Sequence, residues 1–409
     1  MIHYQYIVVG TGLIGSAAVR HLSQVSNSVC GVGVDEPADQ QNHFGPFSSH
    51  YDQGRLTRIL GRNTLLSKFA FEAIQRYPEI EKQSGIRFHG AVGTLMALDP
   101  NEGSRYAQKD LAPIMQVFDV DAQFYEPQDK GWQAKFPFLN FPDSLRIIHE
   151  SPPAGYVNPR QMRAAQLECA RKNGATLIKS EVISTRVDTN QVLVILKDGS
   201  QLSADKVLVA TGAFTNKPGL LPVHIPFKVK TEVVLLGEVS ESEAKKLESM
   251  PTVIFQIKDP EIHDIYMTPP ILYPDGKWCI KMGFNSISDT YPETQNDIQE
   301  WFRSGNSDIH KEAMVRAIKF QLPDVEFKSF ETKRCAIANT PSGYPIIDRV
   351  NKEGTLKEGT LFVAAGGNGA GAKGSDSWGR FAAQLMLDSS QIDPAEQAIF
   401  KLENNQNEQ

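Results

Sequence analysis

The segment 4–15, YQYIVVGTGLIG, decides the fold, because a hydrophobic strand runs directly into three glycines spaced as GxGxxG. Gly10 permits a tight turn, and Gly12 lets the backbone approach a pyrophosphate. Gly15 lets the following helix, which begins near Leu13, pack closely on the strand. The first amides of that helix would then face the phosphates of a dinucleotide.

A second apolar strand, CGVGV at 30–34, follows the predicted helix and ends at Asp35. The dinucleotide fingerprint expects an acidic residue at this place, where it accepts hydrogen bonds from a ribose. Strand, glycines, helix, strand and acid in this order predict a site for an adenine dinucleotide. The alternative is a structural glycine turn in an unrelated α/β protein.

Composition limits the classes of protein that fit. The chain has 409 residues, of which 41% are hydrophobic, enough for two packed domains. Its net charge is -6 and it has no long Lys/Arg run, which argues against nucleic acid as a partner. No apolar run could span a bilayer and no leader precedes the first strand, so we expect a cytoplasmic protein and no membrane partner.

Cysteine and histidine spacing predicts no metal site. Cys30, Cys169, Cys279 and Cys335 are scattered without CxxC pairing, which fits neither a disulfide framework nor a zinc site. The histidines show no metal-ligand spacing either. Three of the cysteines look like small core residues, whereas Cys335 is a candidate for chemistry.

Two further stretches repeat the pattern of the first one, a buried strand that runs into glycine. The buried strand in DKVLVATG ends at Gly212, and a strand at 360–365 enters the loop GGNGAGAKG ahead of a helix predicted at 377–387. Between them, residues 227–284 alternate with period two, which is typical of an antiparallel sheet. The predicted fold class is α/β, with an FAD-binding, Rossmann-like domain of the glutathione-reductase type and an inserted, mainly antiparallel substrate domain. The predicted domains are 1–84, 150–222 and 328–409 for the cofactor, and 85–149 and 223–327 for the substrate.

The chain resembles the D-amino-acid-oxidase-like flavoproteins, and most closely the monomeric sarcosine oxidase and N-methyl amino acid oxidase group, over about residues 5–390. Four features beyond the glycines carry the resemblance. They are two arginines in SHYDQGRLTR (Arg55 and Arg58), Lys281 in WCIKMGF, Cys335 in KRCAIANTPSGYPIID and Lys373 in AAGGNGAGAKG. The resemblance implies FAD as the cofactor.

In that group the lysine corresponding to Lys281 lies against the flavin ring through water. A buried cation there would lower the energy of the anionic reduced ring and of superoxide. Strand alternation would turn Lys281 inward with Cys279, and the alternative is an ordinary exposed strand lysine. Arg55 would steady the flavin, and His50 would either tune the flavin or the amine proton or be a structural histidine.

Arg58 and Lys373 come from opposite ends of the chain, and the resemblance places both at the substrate carboxylate. Two cations converging on one cavity fit that role chemically. Cys335 corresponds to the cysteine that bonds the flavin 8α carbon through a thioether. Arg334 would favour its thiolate. The alternative for Cys335 is a buried structural cysteine.

Five positions depart from the group's pattern on the substrate side: Tyr51, Asn285, Ile337, Ala370 and Ala372. The changes remove bulk, so we expect a roomier pocket and a substrate other than sarcosine. Tyr51, Asn285 and Ile337 remain candidate substrate contacts. The predicted cofactor contacts are Gly10, Gly12, Leu13, Ile14, Gly15, Asp35, Ser49, Arg55, Gly212, Cys335, Gly367, Gly369, Gly371 and Lys373.

The sequence therefore predicts an FAD-dependent oxidase that converts the C–N bond of an amino-acid-like, carboxylate-bearing amine to an imine and reduces O2 to H2O2. Two alternatives stay open. One is a dehydrogenase of the same fold with noncovalent FAD and another electron acceptor, and the other is a flavin-binding accessory protein for a partner enzyme. The simplest expectation for the oligomeric state is a monomer.

Overall fold

The computed structural model describes residues 1–100, 108–188, 191–350 and 360–403. The helices in these ranges are α1 Leu13–Ser23, α2 Thr64–Ser84, α3 Gln108–Phe118, α4 Pro159–Lys172, α5 Glu241–Lys246, α6 Gln295–Ser304, α7 Lys311–Gln321, α8 Gly371–Leu387 and α9 Pro394–Ile399. The strands are β1 Ile2–Val9, β2 Val29–Gly33, β3 Arg55–Thr57, β4 His89–Gly90, β5 Thr94–Leu98, β6 Ala122–Tyr125, β7 Arg146–Glu150, β8 Gly155–Val157, β9 Thr176–Lys179, β10 Val182–Asp188, β11 Gln191–Leu196, β12 Gln201–Val209, β13 Lys228–Val239, β14 Thr252–Phe255, β15 Ile262–Met267, β16 Ile271–Leu272, β17 Trp278–Ser286, β18 Phe327–Asn339, β19 Ile346–Arg349 and β20 Leu361–Ala365. None of the helices in the described ranges is long and apolar enough to cross a membrane.

The first sheet has a parallel centre. Its strands follow the order β10-β11-β12-β1-β2-β9, and β20 pairs with β12 and with β19. The pairs β1–β12, β1–β2, β2–β9 and β12–β20 are parallel. The carboxyl ends of β1, β12 and β20 therefore meet at one edge, which is where ligands bind in open sheets of this kind.

The second sheet is mainly antiparallel and runs in the order β18-β13-β17-β15-β14-β5-β7-β6, with β16 on β17. Only β14–β5 is a parallel pair along that path. A small third sheet has the order β3-β8-β4. One face of β17 packs into the main hydrophobic core through Ile280 and Met282, and this leaves its opposite face for Cys279 and Lys281.

This architecture confirms the predicted α/β fold class with a parallel and an antiparallel part. Two local predictions were wrong. Helix α8 begins at Gly371 instead of Ser377, so part of the glycine-rich loop is helical and Lys373 lies in the first turn. The sequence predicts one continuous helix at 297–320, but the structure has two, α6 and α7, with Gly305 as the C-cap of α6.

The division into domains stays a prediction. Strand β18 belongs to the antiparallel sheet and pairs along its length with β13, although most of its residues were assigned to the cofactor domain. The long pairing of β18 with β13 places Cys335 at the boundary between the two sheets.

Candidate active site

A cavity of about 930 Å³ opens where the glycine loops meet the antiparallel sheet. This volume lies within the range of ligand and cofactor sites. The predicted residues that line it are Gly10, Gly12, Leu13, Ile14, Ser49, His50, Arg55, Arg58, Gly212, Asn285, Cys335, Ile337, Gly367, Gly369, Gly371 and Lys373. Four predicted residues lie outside the lining: Gly15, Asp35, Tyr51 and Lys281.

The glycine fingerprint has the geometry that a dinucleotide requires. Gly10 has φ 94°, and a Cβ there would lie 2.5 Å from the Ala210 carbonyl oxygen. A Cβ on Gly15 would lie 1.8 Å from the carbonyl oxygen of Gly10, which explains its role although it does not reach the cavity. Gly12 is the N-cap of α1 and has no side-chain cap, so the first amides of the helix are directed at the cavity. These residues fit the pyrophosphate of FAD.

Asp35 lies just beyond β2, as predicted, but at the edge of the cavity wall. Its carboxylate pairs with Lys179 at 2.8 Å and with Arg163 at 3.8 Å. The neighbouring Val34 lines the cavity. The ribose contact of Asp35 stays a prediction, because it requires the carboxylate to leave or share these partners.

Arg55 holds the arginine loop against the cavity. Its Nη2 donates to the Ser49 carbonyl at 3.0 Å and contacts the Cys335 Sγ at 3.7 Å. Its Nη1 forms a close ion pair with Asp52. Arg55 therefore connects the loop, the thiol and a buried carboxylate that the sequence analysis did not single out.

His50 is buried and lines the cavity. Burial, and then the charges of Arg163, Arg160 and Arg55, lower the pKa of His50 to about 3. It is therefore a neutral imidazole at physiological pH and contributes no positive charge to the cavity. Tyr51 stacks edge-on against His50 and its hydroxyl donates to the Asp35 carbonyl at 3.4 Å, so it lies away from the predicted substrate side.

Lys281 is fully buried on the inward face of β17, as the alternation predicted. Its Nζ donates to Asp52 Oδ2 at 2.7 Å and to the Gly54 carbonyl at 2.5 Å. It also lies 5.1 Å from the centre of the Tyr266 ring, and Tyr266 lines the cavity. Burial and the charge of Arg55 lower the pKa of Lys281, whereas the Asp52 carboxylate at 2.7 Å opposes them by stabilising the ammonium. Lys281 thus stands behind the cavity wall and not at its surface.

Asp52 organises this part of the wall. It accepts from Lys281, from Arg55 and from the Tyr273 hydroxyl at 2.9 Å. Asp52 lies inside the quoted motif SHYDQGRLTR, so its position was visible in the sequence. Its partners were not, because Lys281 is more than two hundred residues away along the chain.

Arg58 and Lys373 converge as predicted. Both are buried and line the cavity. Burial, and then the charge of Arg58, lower the pKa of Lys373. A buried carboxylate that the sequence analysis missed, Glu150 of β7, supports them. It accepts from the amides of Ile59 and Leu60 at 2.7 and 3.1 Å. Two cations facing one region of the cavity can bind a carboxylate.

Cys335 lines the cavity and is partly exposed. The cation beside its sulfur is Arg55 and not the adjacent Arg334, whose Nε donates to the Gly305 carbonyl on the other face of β18. The expectation for Arg334 was wrong because successive residues of a strand point to opposite faces. The Cys335 sulfur is therefore accessible from the cavity and has a guanidinium 3.7 Å away.

The positions that depart from the resembled group lie on the cavity, apart from Tyr51. Asn285, Ile337, Ala370 and Ala372 all line it. Two charged residues of β13, Lys230 and Glu232, also line it and were not predicted. They lie in the alternating stretch KVKTEVVLLGEV, but which face of this strand meets the cavity depends on its pairing with β18.

The fold and this site define an FAD-binding oxidoreductase. The chain matches the family described as FAD dependent oxidoreductase (DAO) over residues 5–385, and it belongs to that family. It is 24% identical to the monomeric sarcosine oxidase of Bacillus sp. (strain NS-129), covering 94% of this chain and 92% of the relative. It is 25% identical to the L-saccharopine oxidase of Schizosaccharomyces pombe, covering 93% and 89%.

Solved structures share the fold. NikD, described as an unusual amino acid oxidase essential for nikkomycin biosynthesis, superposes with a TM-score of 0.75 at 17% identity, covering 97% of each chain. An L-proline dehydrogenase from P. horikoshii superposes with a TM-score of 0.71 at 17% identity, covering 98% of this chain and 97% of that chain. The protein is thus an FAD-dependent amine or amino acid oxidase of the sarcosine oxidase type.

Proposed function

We propose that this enzyme oxidises the C–N bond of a carboxylate-bearing amine to an imine, which water hydrolyses to a carbonyl compound and an amine, while O2 is reduced to H2O2. The observation that carries the proposal is the convergence of Arg58 and Lys373 on one region of a cavity that also contains the glycine fingerprint. The carboxylate of the substrate would anchor there, so that the molecule is held by its non-reacting end.

When bound, FAD supplies the acceptor for two electrons and the hydrogen from the carbon beside the nitrogen. The chain's own residues prepare that step. The amides at the start of α1 would hold the pyrophosphate, and Arg55 would hold the arginine loop against the ring. Burial beside the cations Arg58 and Lys373 would favour the neutral amine that the reaction needs. Neutral His50 adds no charge that would oppose it.

We further propose that Cys335 bonds the flavin 8α carbon through a thioether. In that step the thiol and the 8α carbon would each lose one hydrogen, and O2, reduced to H2O2, would take up both hydrogens and the two electrons. Its position on the cavity and the Arg55 guanidinium at 3.7 Å from its sulfur support this proposal. A guanidinium stabilises the thiolate that such an attachment requires. Lys281 would lower the energy of negative charge in the neighbouring cavity through Arg55 and Tyr266, which separate it from the cavity surface.

A dehydrogenase that passes electrons to another acceptor is the second candidate. The observation that favours it is the ion pair between Lys281 and Asp52, because a neutralised lysine behind the wall stabilises superoxide less than a free ammonium at the surface. The names of the curated relatives, sarcosine oxidase and saccharopine oxidase, support oxygen as the acceptor.

The test is an anaerobic panel of amines, scored by loss of the flavin absorbance, followed by admission of air with a peroxide assay. We expect carboxylated amines to bleach the flavin and peroxide to form in amounts equal to substrate consumed. Bleaching without peroxide would establish the dehydrogenase. A flavin that no amine bleaches would contradict both and leave the accessory protein.

A further inference from the structure

The wall of the cavity formed by β13 carries two charges of opposite sign. Lys230 and Glu232 are two residues apart, so their side chains leave the strand on the same face. They are 8% and 7% exposed and line the cavity. In the pairing with β18, Glu232 lies directly opposite Cys335, and Lys230 lies opposite Ile337. This wall therefore adjoins the proposed attachment point of the flavin.

Lys230 has no proton left for a ligand. Its Nζ lies 2.6 Å from Glu232 Oε1, 2.7 Å from Asp289 Oδ2 and 2.8 Å from Asn285 Oδ1. A lysine ammonium has three N–H donors, and these three acceptors occupy all of them. Lys230 therefore cannot bind a substrate anion, and its charge is used inside the wall.

The two carboxylates are satisfied to different degrees. Asp289 also accepts from the Ser286 hydroxyl, which lies 3.0 Å from its Oδ1. Glu232 Oε1 is occupied by Lys230, whereas no hydrogen bond from the described residues reaches Glu232 Oε2. Glu232 and Asp289 share the ammonium of Lys230. Arg55 and Lys281, which share Asp52, also act on Glu232, so this part of the wall carries no excess negative charge. The open acceptor of the buried Glu232 carboxylate favours a ligand that donates a hydrogen bond, and an ammonium group donates to a carboxylate more strongly than a neutral group does.

We propose that Glu232 determines substrate specificity by accepting a hydrogen bond from a second, cationic ammonium group on the substrate, remote from the carboxylate that Arg58 and Lys373 hold. This inference rests on the proposed function, which it narrows to amino acids with a basic side chain. The cavity would then bind the substrate at two poles of opposite charge, with the reacting C–N bond between them.

The ionisation of Glu232 gives the inference a second readout. Burial raises the pKa of Glu232 to about 7; Lys230 and Arg55 lower it, and Asp289 raises it further. Tyr266, Lys281 and Cys335 are the other titratable groups that interact with it. Below pH 7 Glu232 is mostly neutral and attracts a cation weakly. Preference for a cationic substrate should therefore grow as the pH rises through about 7.

The experiment compares matched substrates on the flavin-loaded enzyme. Racemic Nα-methyl derivatives of ornithine and lysine are paired with those of norvaline and norleucine, in which a hydrogen atom replaces the terminal ammonium group. From pH 6 to pH 8 both reacting amines are mostly protonated, so their neutral fractions rise in the same proportion and cancel from the pH dependence of the kcat/KM ratio within a pair. We expect the cationic member to be preferred at least ~10-fold at pH 8, and less at pH 6. Equal or reversed preference in both pairs would overturn the inference.

The variant Glu232→Gln keeps the shape and removes the charge. We expect it to lose both the preference and its pH dependence, whereas Glu238→Gln, on the same strand but outside the cavity lining, should keep both. A Glu232→Gln enzyme that still prefers the cation would also overturn the inference. Should the variant fail to fold, the pH dependence of the wild-type ratio decides alone.

Failure of the proposed function is distinguishable. If no amine in either pair bleaches the flavin, the oxidase proposal falls, and calorimetric binding of L-lysine and L-norleucine to the same holoprotein tests Glu232 separately. Tighter binding of lysine by the wild type at pH 8 supports the inference, and equal binding contradicts it.

Discussion

Lys281 and Asp52 form an ion pair behind the cavity wall, with Nζ 2.7 Å from Oδ2 and the lysine fully buried. The same carboxylate holds Arg55, which does line the cavity. Any change in the charge of Lys281 therefore reaches the cavity both directly, through the electric field, and indirectly, through the position of Arg55.

Lys281→Met tests whether this buried charge serves the reaction with oxygen. We expect reoxidation of the reduced flavin by O2 to slow by about 100-fold, because removal of one preorganised electrostatic group costs about this much. Stopped-flow mixing of the anaerobically reduced enzyme with oxygenated buffer measures it. Lys277→Met, on the exposed turn before the same strand, is the matched control. Equal reoxidation rates in wild type and Lys281→Met would remove Lys281 from oxygen activation.

Cys335→Ser tests the covalent link. We expect the wild-type protein to stay yellow after acid precipitation, and the flavin of the variant to pass into the supernatant, because a hydroxyl at this position forms no thioether. Absorbance of the pellet and of the supernatant measures the partition. Cys279→Ser, a buried cysteine outside the cavity lining, should behave as the wild type does. Colour that stays in the pellet of Cys335→Ser would show that another residue bonds the flavin, and colour that leaves the wild-type pellet would show that no residue does.

Features of the fold and site that depend on residues close together in the sequence could be predicted, whereas those that depend on distant residues could not. The glycine fingerprint is local, since strand, turn and helix lie within residues 2–23, and its geometry is as expected. Lys281 could be placed on the buried face of its strand from period two alone. Asp52, Glu150 and Glu232 could not be assigned, because each depends on partners brought in by distant strands.

The resemblance to a known family indicated roles for Lys281 and Cys335, but it did not indicate which residues surround them. It aligned Lys281 with a lysine near the flavin, but the Asp52 ion pair belongs to this chain's own loop sequence. It also left Arg334 as the cation nearest to Cys335, whereas the tertiary structure gives that place to Arg55. Charge pairs across sheets depend on register, and the sequence does not reveal which strands become neighbours.

Lys373→Met tests the carboxylate anchor. A charged hydrogen bond contributes about 1.5–3 kcal/mol, so we expect kcat/KM for a carboxylated amine to fall by about 10- to 100-fold. The decarboxylated analogue should fall much less, since it has no group to bind there. Steady-state kinetics on Nα-methylnorleucine and N-methylpentylamine measures the difference. Lys172→Met, near the surface at the end of α4, is the control. A loss that is equal for the two amines would contradict anchoring.

The pH dependence of the same comparison follows from the charge on Lys373. Burial and Arg58 lower the pKa of Lys373 well below 10.5. As the pH rises through this lowered value the ammonium loses its proton, so the advantage of the carboxylated amine should decline in a range where an ordinary lysine stays charged. The ratio of kcat/KM between the two amines, taken from pH 6 to pH 10, measures this. In Lys373→Met the decline should be absent, and a decline that persists there would assign it to another group.

A substitution at Asp376 tests what holds α8 in place. It is completely buried and accepts from Arg20 at 2.8 Å, Arg76 at 2.6 Å and Gln166 at 2.8 Å.

Burial alone would raise the pKa of Asp376, but His21, Arg20 and Arg76 hold it well below 3.8. A depressed pKa stabilises the fold above the unfolded value and is lost as the pH falls through acid. Asp376→Asn should therefore lower the free energy of unfolding at pH 7 by about 3–5 kcal/mol, because the buried guanidinium of Arg20 and the partly buried one of Arg76 lose their carboxylate. Urea unfolding of the holoprotein measures it, with exposed Asp198→Asn as the control. The deficit should shrink toward pH 3, and a deficit independent of pH would mean that packing, not charge, is what the substitution removes.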